Sequence, residues 1–369
     1  MEKIKVLQIT QSVGGVETYL RQLVHNIDRD RFDIIIVSCE PTLKQFCEEA
    51  SVKYYEVKMS RGFNPFRDFS SVLSLRKIIK KEKPALVHLH SSKAGFVGRI
   101  AAKTTSCKSL FTPHGGSYLQ FTGAKRLTFF MLELFAKRFT YRLLCISWTE
   151  AERFSHEVGI SNENILVIPN SIKIPETPVV VPDKLGQLAG AVKIGTIGRI
   201  TYQKNPLLLA DIVYDVTRKF PDAHFYFLGA GFHDHLRTQL DEKIKKYGIE
   251  NNLHLIEKGD GTIALNFLRQ LDMFILPSRY EGLSYALLEA MYEGVPCIVS
   301  KVDGNNDVIN NNENGFSCIT REQYFDVIAA LIADKEKAKA VGATGKQYVI
   351  DKHNINTNIK LLEDIYTNI

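Results

Sequence analysis

The residues best suited to chemistry in this sequence are two cations and two carboxylates in its second half. Arg199 and Lys204 lie five residues apart in a polar loop, where a guanidinium fork and an ammonium charge together suit a diphosphate. Glu281 precedes a predicted helix N-terminus, and Glu289 lies among apolar helical residues, where a carboxylate requires a bonding partner. This set suits a ligand with an anionic middle and hydroxyl-rich flanks, such as a nucleotide sugar. The alternative is a solvated basic loop and two carboxylates without a ligand.

The histidines and one acidic triplet give further candidates. His114 ends an apolar strand and is followed by two glycines, so it lies in a loop that a ligand can approach. His88 and His90 alternate along one strand and are interpreted as satisfied core or cleft histidines. The triplet 28–30, Asp-Arg-Asp, has the form of a metal–diphosphate motif, but it lies in a charged turn and is interpreted as surface. We therefore expect no metal and no cofactor.

A strand, a helix and a second strand must position the two carboxylates. The apolar run 273–276 predicts a buried strand, Ser284 predicts the N-cap of a helix over 285–293, and 297–300 predicts the next strand. Similar apolar runs alternate with helical periodicity through the chain, which predicts an α/β fold with parallel sheets covered on both faces. The other runs are 3–10, 34–37, 52–57, 86–89, 110–112, 143–146, 165–168, 192–200, 224–228 and 253–256.

The proline-containing stretch 173–190 lacks periodicity and predicts a linker between two domains. The first domain is expected to span residues 1–172 and the second residues 191–352. Two doubly wound, Rossmann-like domains are expected to face each other across a ligand cleft at the carboxyl ends of their strands. The loop at 11–17 is not a GxGxxG motif, which disfavours a dehydrogenase.

Composition excludes several classes of protein. The 369 residues are 45% hydrophobic, and no apolar run reaches the roughly 18–20 residues of a membrane span. The N-terminus enters a strand directly, and the six cysteines have no paired spacing, so we expect a cytoplasmic protein with reduced thiols. The net charge of +6 does not by itself indicate nucleic acid, which is not an expected partner.

The stretch 124–142 is basic and strongly apolar at once. Interpreted as one helix, it could be a core helix with solvated ends, or it could dock on an anionic membrane surface or hold a lipid-linked substrate. Membrane docking is favoured, since a second basic stretch occurs at 76–83. The residues expected to contact the acceptor or the membrane are Lys125, Arg126, Lys137 and Arg138.

These motifs together resemble a known family. GGVE at 14–17, HG at 114–115, GRITYQKN at 198–205 and the segment from Glu281 to Glu289 occur in the order typical of the retaining GT-B glycosyltransferases of family 4. That family includes sucrose synthases and many bacterial capsule and O-antigen enzymes. The segments IPNS at 168–171 and KVDGNNDVI at 301–309 also resemble family segments, so the likeness covers nearly the whole chain.

The resemblance implies roles for individual residues. The Gly15 amide would bind the donor phosphates, and Arg199 and Lys204 would bind the diphosphate and stabilise the leaving nucleotide without a metal. Glu289 would bind the ribose hydroxyls, and Glu281 the hydroxyls of the donor sugar. His114 would contact that sugar near the reacting carbon, and a final helix over about 353–369 would cross back onto the first domain. The remaining implied contacts are the backbone of Gly282, Leu283 and Ser284 beside the sugar, and Glu257 and Lys258 beside the base.

The implied activity is transfer of a sugar, with retention and an α-linkage, from a nucleotide sugar to a glycan. A UDP-sugar is the expected donor, and a lipid-linked oligosaccharide at the inner face of the cytoplasmic membrane is the expected acceptor. Two alternatives are a nucleotide-sugar epimerase or hydrolase on the same fold, and an inactive sugar-binding or membrane scaffold module. The sequence reads IPNS where IPNG is usual and EGLS where EGFP is usual; the second departure leaves the donor sugar open.

Overall fold

The chain divides into two compact units. The computed structural model describes residues 2–12, 14–60, 62–175, 185–231, 234–257, 259 and 261–369. The first unit combines Met1–Lys173 with Ile355–Ile369, and the second is Ile174–Asn354. Part of the predicted linker, residues 176–184, lies outside the described ranges.

The first unit is built on a parallel sheet. Each strand coincides with a predicted apolar run, because a strand covered by helices on both faces is apolar throughout. In its described residues the strands are β1 Ile4–Thr10, β2 Phe32–Ser38, β3 Lys53–Glu56, β4 Leu86–His90, β5 Lys108–Thr112, β6 Arg142–Cys145 and β7 Ile165–Val167. The helices that follow them are α1 Gly15–Asn26, α2 Pro41–Glu49, α3 Pro65–Glu82, α4 Ser92–Lys103, α5 Gly123–Ala136 and α6 Trp148–Arg153.

The second unit repeats this plan. Its described strands are β8 Val192–Ile197, β9 Ala223–Ala230, β10 Leu253–Glu257, β11 Met273–Leu276, β12 Cys297–Ser300 and β13 Phe316–Cys318. Its described helices are α7 Pro206–Lys219, α8 Arg237–Tyr247, α9 Gly261–Arg269, α10 Tyr285–Tyr292, α11 Asn305–Val308, α12 Arg321–Ala333 and α13 Lys335–Lys352. Sequence reasoning missed β13, a three-residue edge strand too short for a periodic signal.

Strand order fixes where a ligand can enter each unit. The order is β3-β2-β1-β4-β5-β6-β7 in the first sheet and β10-β9-β8-β11-β12-β13 in the second. All pairs are parallel, and the order reverses between β1 and β4 and again between β8 and β11. Ligands of doubly wound sheets bind outside the carboxyl ends of the strands at such a reversal. The predicted α/β class and the two doubly wound sheets are confirmed.

The last helix, α14 (Ile355–Asn368), belongs to the first unit. Ile359, Leu362 and Tyr366 are buried in the same cluster as side chains of α1 and α2, on one face of the sheet. The opposite face is covered by α3, α4 and α5, which share a second cluster. Its bounds lie within about two residues of the helix over 353–369 that the resemblance implied.

One helix prediction is wrong. The stretch 124–142 is not a single helix, because α5 ends at Ala136, Lys137–Phe139 forms a 3-10 turn, and Arg142 begins β6. The β-branched Thr140 and aromatic residues at 139 and 141 favour extended backbone there. Within the described ranges, no helix has the length and apolar character needed to cross a bilayer.

Candidate functional site

In the second unit, the loops that follow β8 and β11 meet on the Glu281 carboxylate. Lys204 Nζ donates to Glu281 Oε1 at 2.8 Å, and Gln203 Nε2 donates to Oε2 at 3.2 Å. Ser278 Oγ donates to Oε1 at 2.6 Å. Since β8 and β11 are neighbours in the sheet, their carboxyl ends bring these loops together. Two predicted site residues, Lys204 and Glu281, therefore form an ion pair. Gln203 and Ser278 were not predicted, and only their position in the same two loops could have indicated them.

Arg199 and the Glu281 loop act on a common neighbour, Tyr280. Burial and the Glu281 carboxylate raise the pKa of the Tyr280 hydroxyl, and the positive charge of Arg199 opposes that rise. The loop carrying Glu281 is also tied to the β8 loop through its backbone, because Arg279 N donates to Gln203 O at 2.8 Å. Arg199, Lys204 and Glu281 therefore belong to one electrostatic neighbourhood.

A glycine from a third loop supports the turn at 282–284. A Cβ on Gly304 would lie 2.2 Å from the carbonyl oxygen of Gly282, and Gly304 has φ +75°. Only glycine tolerates both the contact and the left-handed backbone. Gly282, Leu283 and Ser284 are buried beneath it. Sequence reasoning noted the segment at 301–309 as a family likeness but not this packing role.

Helix α10 begins one residue after Ser284, as predicted, but Ser284 does not cap it with its side chain. Ser284 is therefore the N-cap residue by position, but its hydroxyl does not accept from an amide of the first turn. The amides of the first turn of α10 therefore receive no bond from the Ser284 side chain.

Glu289 lies one turn inside α10 and is half-buried. Burial raises the pKa of its carboxyl group to about 7. Within the described ranges no side chain donates to it, so desolvation is not offset by an internal partner. A half-buried acceptor of this kind is suited to ligand hydroxyls. Of the two residues expected near the base, Glu257 is exposed at the end of β10, and Lys258 lies outside the described residues.

In the first unit, His114 follows β5 in a strained turn. Its φ is +56°, a conformation uncommon for a residue with a side chain and concentrated at functional sites. Glu150 of α6 stabilises the turn by accepting from Gly115 N at 2.6 Å and from Ile146 N at 2.9 Å. Burial lowers the pKa of His114 to about 3, so the ring is neutral at pH 7. Sequence reasoning missed Glu150, since nothing local marks its reach to the turn.

The buried histidines of β4 have hydrogen-bond partners, in agreement with the interpretation of them as satisfied core or cleft histidines. His88 Nε2 pairs with Thr112 Oγ1 at 2.8 Å, and His90 Nδ1 pairs with His114 Nε2 at 3.0 Å. Among the described residues, His, Cys, Asp and Glu form no group of three or more that could hold a metal ion.

The predicted phosphate contact Gly15 is the first residue of α1, and Gly14 before it has φ +78°. A Cβ at either position would meet no atom within 4 Å, so the backbone amides border open space. This end of the β1–α1 connection lies at the reversal of strand order, where a ligand can approach the backbone.

The basic residues predicted to meet a membrane differ in their surroundings. Lys125 and Arg126 are exposed in the first turn of α5, and Arg138 is exposed beyond its end. Lys137 is partly buried, and its ammonium donates to the carbonyl oxygen of Val158 at 2.8 Å. Lys137 therefore stabilises its own unit and is a poor probe of membrane binding.

Comparison with known proteins gives matches along most of the chain. Residues 13–174 match the family described as "Glycosyltransferase Family 4", and residues 182–348 match the one described as "Glycosyl transferases group 1". A relative from Escherichia coli, the UDP-Gal:alpha-D-GlcNAc-diphosphoundecaprenol alpha-1,3-galactosyltransferase, is 29% identical over 99% of this chain and 96% of its own length. The Escherichia coli O-antigen biosynthesis glycosyltransferase WbnH is 24% identical over 85% of each chain.

Solved structures share the fold. HepE of Anabaena, crystallised in complex with UDP and glucose, superposes with a TM-score of 0.82 at 17% identity, over 99% of this chain and all of that one. At this identity the likeness concerns the fold alone. It agrees with the two doubly wound sheets described above.

Proposed function

This chain belongs to the family 4 glycosyltransferases, and on that premise we propose that it is a retaining enzyme that transfers a sugar from a UDP-sugar to a lipid-linked glycan with an α-linkage. One observation carries the proposal. The loops at the strand-order reversal of the second unit join Lys204 and Glu281 in an ion pair, beside Arg199 and with Glu289 in the adjoining helix. These charges suit a nucleoside diphosphate sugar, since the cations can bind its diphosphate and the carboxylates its hydroxyls.

Lys204 can serve the ion pair and a ligand together. Its ammonium has three donors, and the bond to Glu281 uses one of them. Its side chain is 17% exposed and that of Glu281 is 5% exposed, so both charges act in a partly dehydrated setting. Electrostatic stabilisation of a leaving diphosphate is strongest in such a setting, because water screens the charges less.

The proposed reaction needs no protein nucleophile. The bond between the anomeric carbon and the diphosphate oxygen breaks, and a bond to the acceptor oxygen forms on the same face of the sugar. The acceptor proton passes to the leaving phosphate, so atoms and charge balance. Arg199 and Lys204 stabilise the negative charge that develops on the diphosphate. Catalysis then consists of positioning and charge stabilisation.

We propose UDP as the donor nucleotide because of what two of the similar proteins are named for or were crystallised with. The Escherichia coli galactosyltransferase uses UDP-Gal by name, and HepE was crystallised with UDP. Thermal stabilisation by UDP, GDP and ADP, and turnover of the matching sugar nucleotides, test the assignment. Stabilisation confined to UDP is expected, and a response to GDP or ADP alone would contradict it.

The Lys204→Ala variant tests the role of the ion pair. It should lower sugar transfer by roughly 10²–10³-fold while the protein stays folded, since loss of one group that stabilises transition-state charge has effects of that size. Lys243→Ala is the matched control, because Lys243 forms a half-buried ion pair with Asp211 at 2.7 Å elsewhere in the same unit. Wild-type transfer rates in Lys204→Ala would remove Lys204 from the site.

An exposed apolar patch on the first unit supports a lipid-linked acceptor. Four large side chains are exposed on α3 and two residues before its start, and three more are exposed on α5. Phe96 of α4 joins the two groups, with ring centroids 6.5 Å from both Phe63 and Phe135. The patch consists of Phe63, Phe66, Phe69, Leu73, Leu127, Met131 and Phe135, and Phe66 is 88% exposed. Contiguous exposed apolar surface of this kind marks an interaction site.

We assign this patch to an anionic bilayer because exposed cations lie on the same two helices. Arg67, Lys77 and Lys80 are exposed on α3, and Lys125 and Arg126 are exposed on α5. Apolar side chains that enter the interface and cations that meet anionic headgroups are the two contributions that hold a peripheral protein on a membrane. Sequence reasoning found the basic residues of α5 but missed the α3 stripe.

The double variant Phe66→Ser and Phe69→Ser tests the membrane assignment. Burial of one phenylalanine contributes about 1.5–3 kcal/mol, so binding to phosphatidylglycerol vesicles should weaken at least about tenfold. Leu361→Ser is the control, since Leu361 is also exposed but lies on α14, against the opposite face of the sheet. Unchanged co-sedimentation of the double variant with anionic vesicles would show that the patch does not bind lipid.

A further inference from the structure

A chain of buried hydrogen bonds leads from the last helix to His114. Tyr366 of α14 contacts both His88 and Gln8: His88 Nδ1 lies 2.6 Å from the phenol oxygen, and Gln8 Nε2 donates to that oxygen at 2.9 Å. His90 Nε2 lies 2.8 Å from Gln8 Oε1, and His90 Nδ1 lies 3.0 Å from His114 Nε2. Gln8, His88, His90 and Tyr366 are at most 2% exposed.

We propose that Tyr366, Gln8 and His90 are positioning residues that fix the tautomer of His114, with its proton on Nε2 and its Nδ1 available to accept from a substrate hydroxyl. The role of His114 toward substrate rests on the proposed function. The tautomer itself follows from the buried hydrogen bonds of neutral rings, and it can be measured without any activity.

The donor-to-acceptor direction of these hydrogen bonds is set by Gln8, whose side-chain amide has distinct donor and acceptor ends. Because the Gln8 amide nitrogen donates to Tyr366, its oxygen faces His90 and must accept. Burial lowers the pKa of His90 well below its usual value, so the ring is neutral and carries one proton, on Nε2. His90 Nδ1 is then an acceptor, and the proton between the two rings belongs to His114 Nε2.

The hydrogen bonds at the Tyr366 end of the network are consistent with this direction. The Tyr366 hydroxyl accepts from Gln8 and donates to His88 Nδ1, which leaves the His88 proton on Nε2 for Thr112 Oγ1. Each of these buried polar atoms therefore has a partner, a condition that makes such networks rigid. Tyr19 adds orientation, since its ring lies 5.1 Å from the His114 ring at 76° and 5.3 Å from the His90 ring. Within the described ranges, His114 Nδ1 has no protein partner.

The Tyr366→Phe variant tests this chain. It removes one hydroxyl and leaves the Gln8 amide without its fixed acceptor, so the amide can reverse and move the His114 proton to Nδ1. Imidazole ¹⁵N shifts should show His114 protonated on Nε2 in the wild type and a mixture of tautomers in the variant. If the proposed function also holds, kcat should fall about tenfold, while the affinity for UDP, which lacks the sugar that His114 is proposed to contact, is unchanged.

Tyr54→Phe is the matched control, because the Tyr54 hydroxyl donates to the Ser38 carbonyl at 2.9 Å in the same unit but outside the chain. It should leave the His114 tautomer unchanged. A wild-type His114 protonated on Nδ1, or a Tyr366→Phe variant with an unchanged tautomer, would overturn the proposal. Absence of UDP-sugar turnover in the wild type would instead refute the proposed function and leave the tautomer result standing.

Discussion

Replacement of Glu289 by glutamine should stabilise the protein and weaken its binding of nucleotide. In the folded chain burial raises the pKa of this carboxyl group from 4.5 to about 7, and no described side chain compensates it. Between these values the folded state keeps a proton that the unfolded state has lost. Stability therefore falls as pH rises from about 4.5 to 7 and is lowest above 7.

The size of the effect follows from the two pKa values. At about 1.36 kcal/mol per pH unit, the rise from 4.5 to about 7 corresponds to at most about 3 kcal/mol of lost stability above pH 7. Water that reaches the half-buried carboxylate reduces this value. Glutamine carries no charge, so Glu289→Gln should be more stable than the wild type at pH 8 and equally stable near pH 4.5.

Nucleotide binding should show the opposite preference. Ribose hydroxyls that donate to the Glu289 carboxylate favour its charged form, so binding expels the proton. With a pKa of about 7, the ionised fraction falls about fivefold between pH 7 and pH 6, and UDP affinity should fall by the same factor. At pH 8, Glu289→Gln should bind UDP more weakly by about 1–3 kcal/mol.

Urea unfolding across pH 5–8 measures the first effect, and calorimetric titration of UDP over the same range measures the second. Glu250→Gln is the control, since Glu250 is an exposed glutamate of the same unit. The UDP phosphate titrates equally with the wild type, Glu289→Gln and Glu250→Gln, so its contribution to the pH dependence cancels when the three are compared. A Glu289→Gln variant with the wild-type pH dependence of either quantity would refute the reasoning.

Two further substitutions have defined outcomes. Glu133→Ala should destabilise the first unit by about 3–5 kcal/mol in urea unfolding, because Arg99 is fully buried and its guanidinium pairs with Glu133 at 2.7 Å. The double variant Arg99→Met with Glu133→Leu should regain most of that stability. Wild-type stability of Glu133→Ala would contradict the prediction. Gly304→Ala should lower both stability and sugar transfer because its Cβ meets the Gly282 carbonyl, whereas Gly294→Ala, with φ +77° and open space around it, should show only the smaller backbone effect; equal effects in thermal unfolding would count against the contact.

The sequence predicted the sheets and the paired loops of the second unit because both signals are local. Buried parallel strands are apolar runs, and polar loops at their carboxyl ends must meet where neighbouring strands end. Lys204 and Glu281, 77 residues apart, could therefore be placed together by topology alone.

Other features depend on pairings that no local pattern marks. Gln8 and Tyr366 are 358 residues apart, and a glutamine inside an apolar strand is interpreted as a tolerated polar residue until α14 is seen to cover it. The apolar stripe at the start of α3 was missed for a different reason: its helix buries its opposite face, and sequence does not distinguish which of two apolar faces is covered.

The return of α14 to the first unit has a consequence for biosynthesis. Synthesis of residues 174–354 separates the last strand of that unit from the helix that completes it. At about 5–20 residues per second, this interval lasts roughly 10–40 seconds. During it, the nascent first unit exposes the apolar side chains that Ile359 and Leu362 later cover. The second unit can therefore finish folding before the first, and a ribosome that stops early leaves a chain that a chaperone or protease recognises by this uncovered surface.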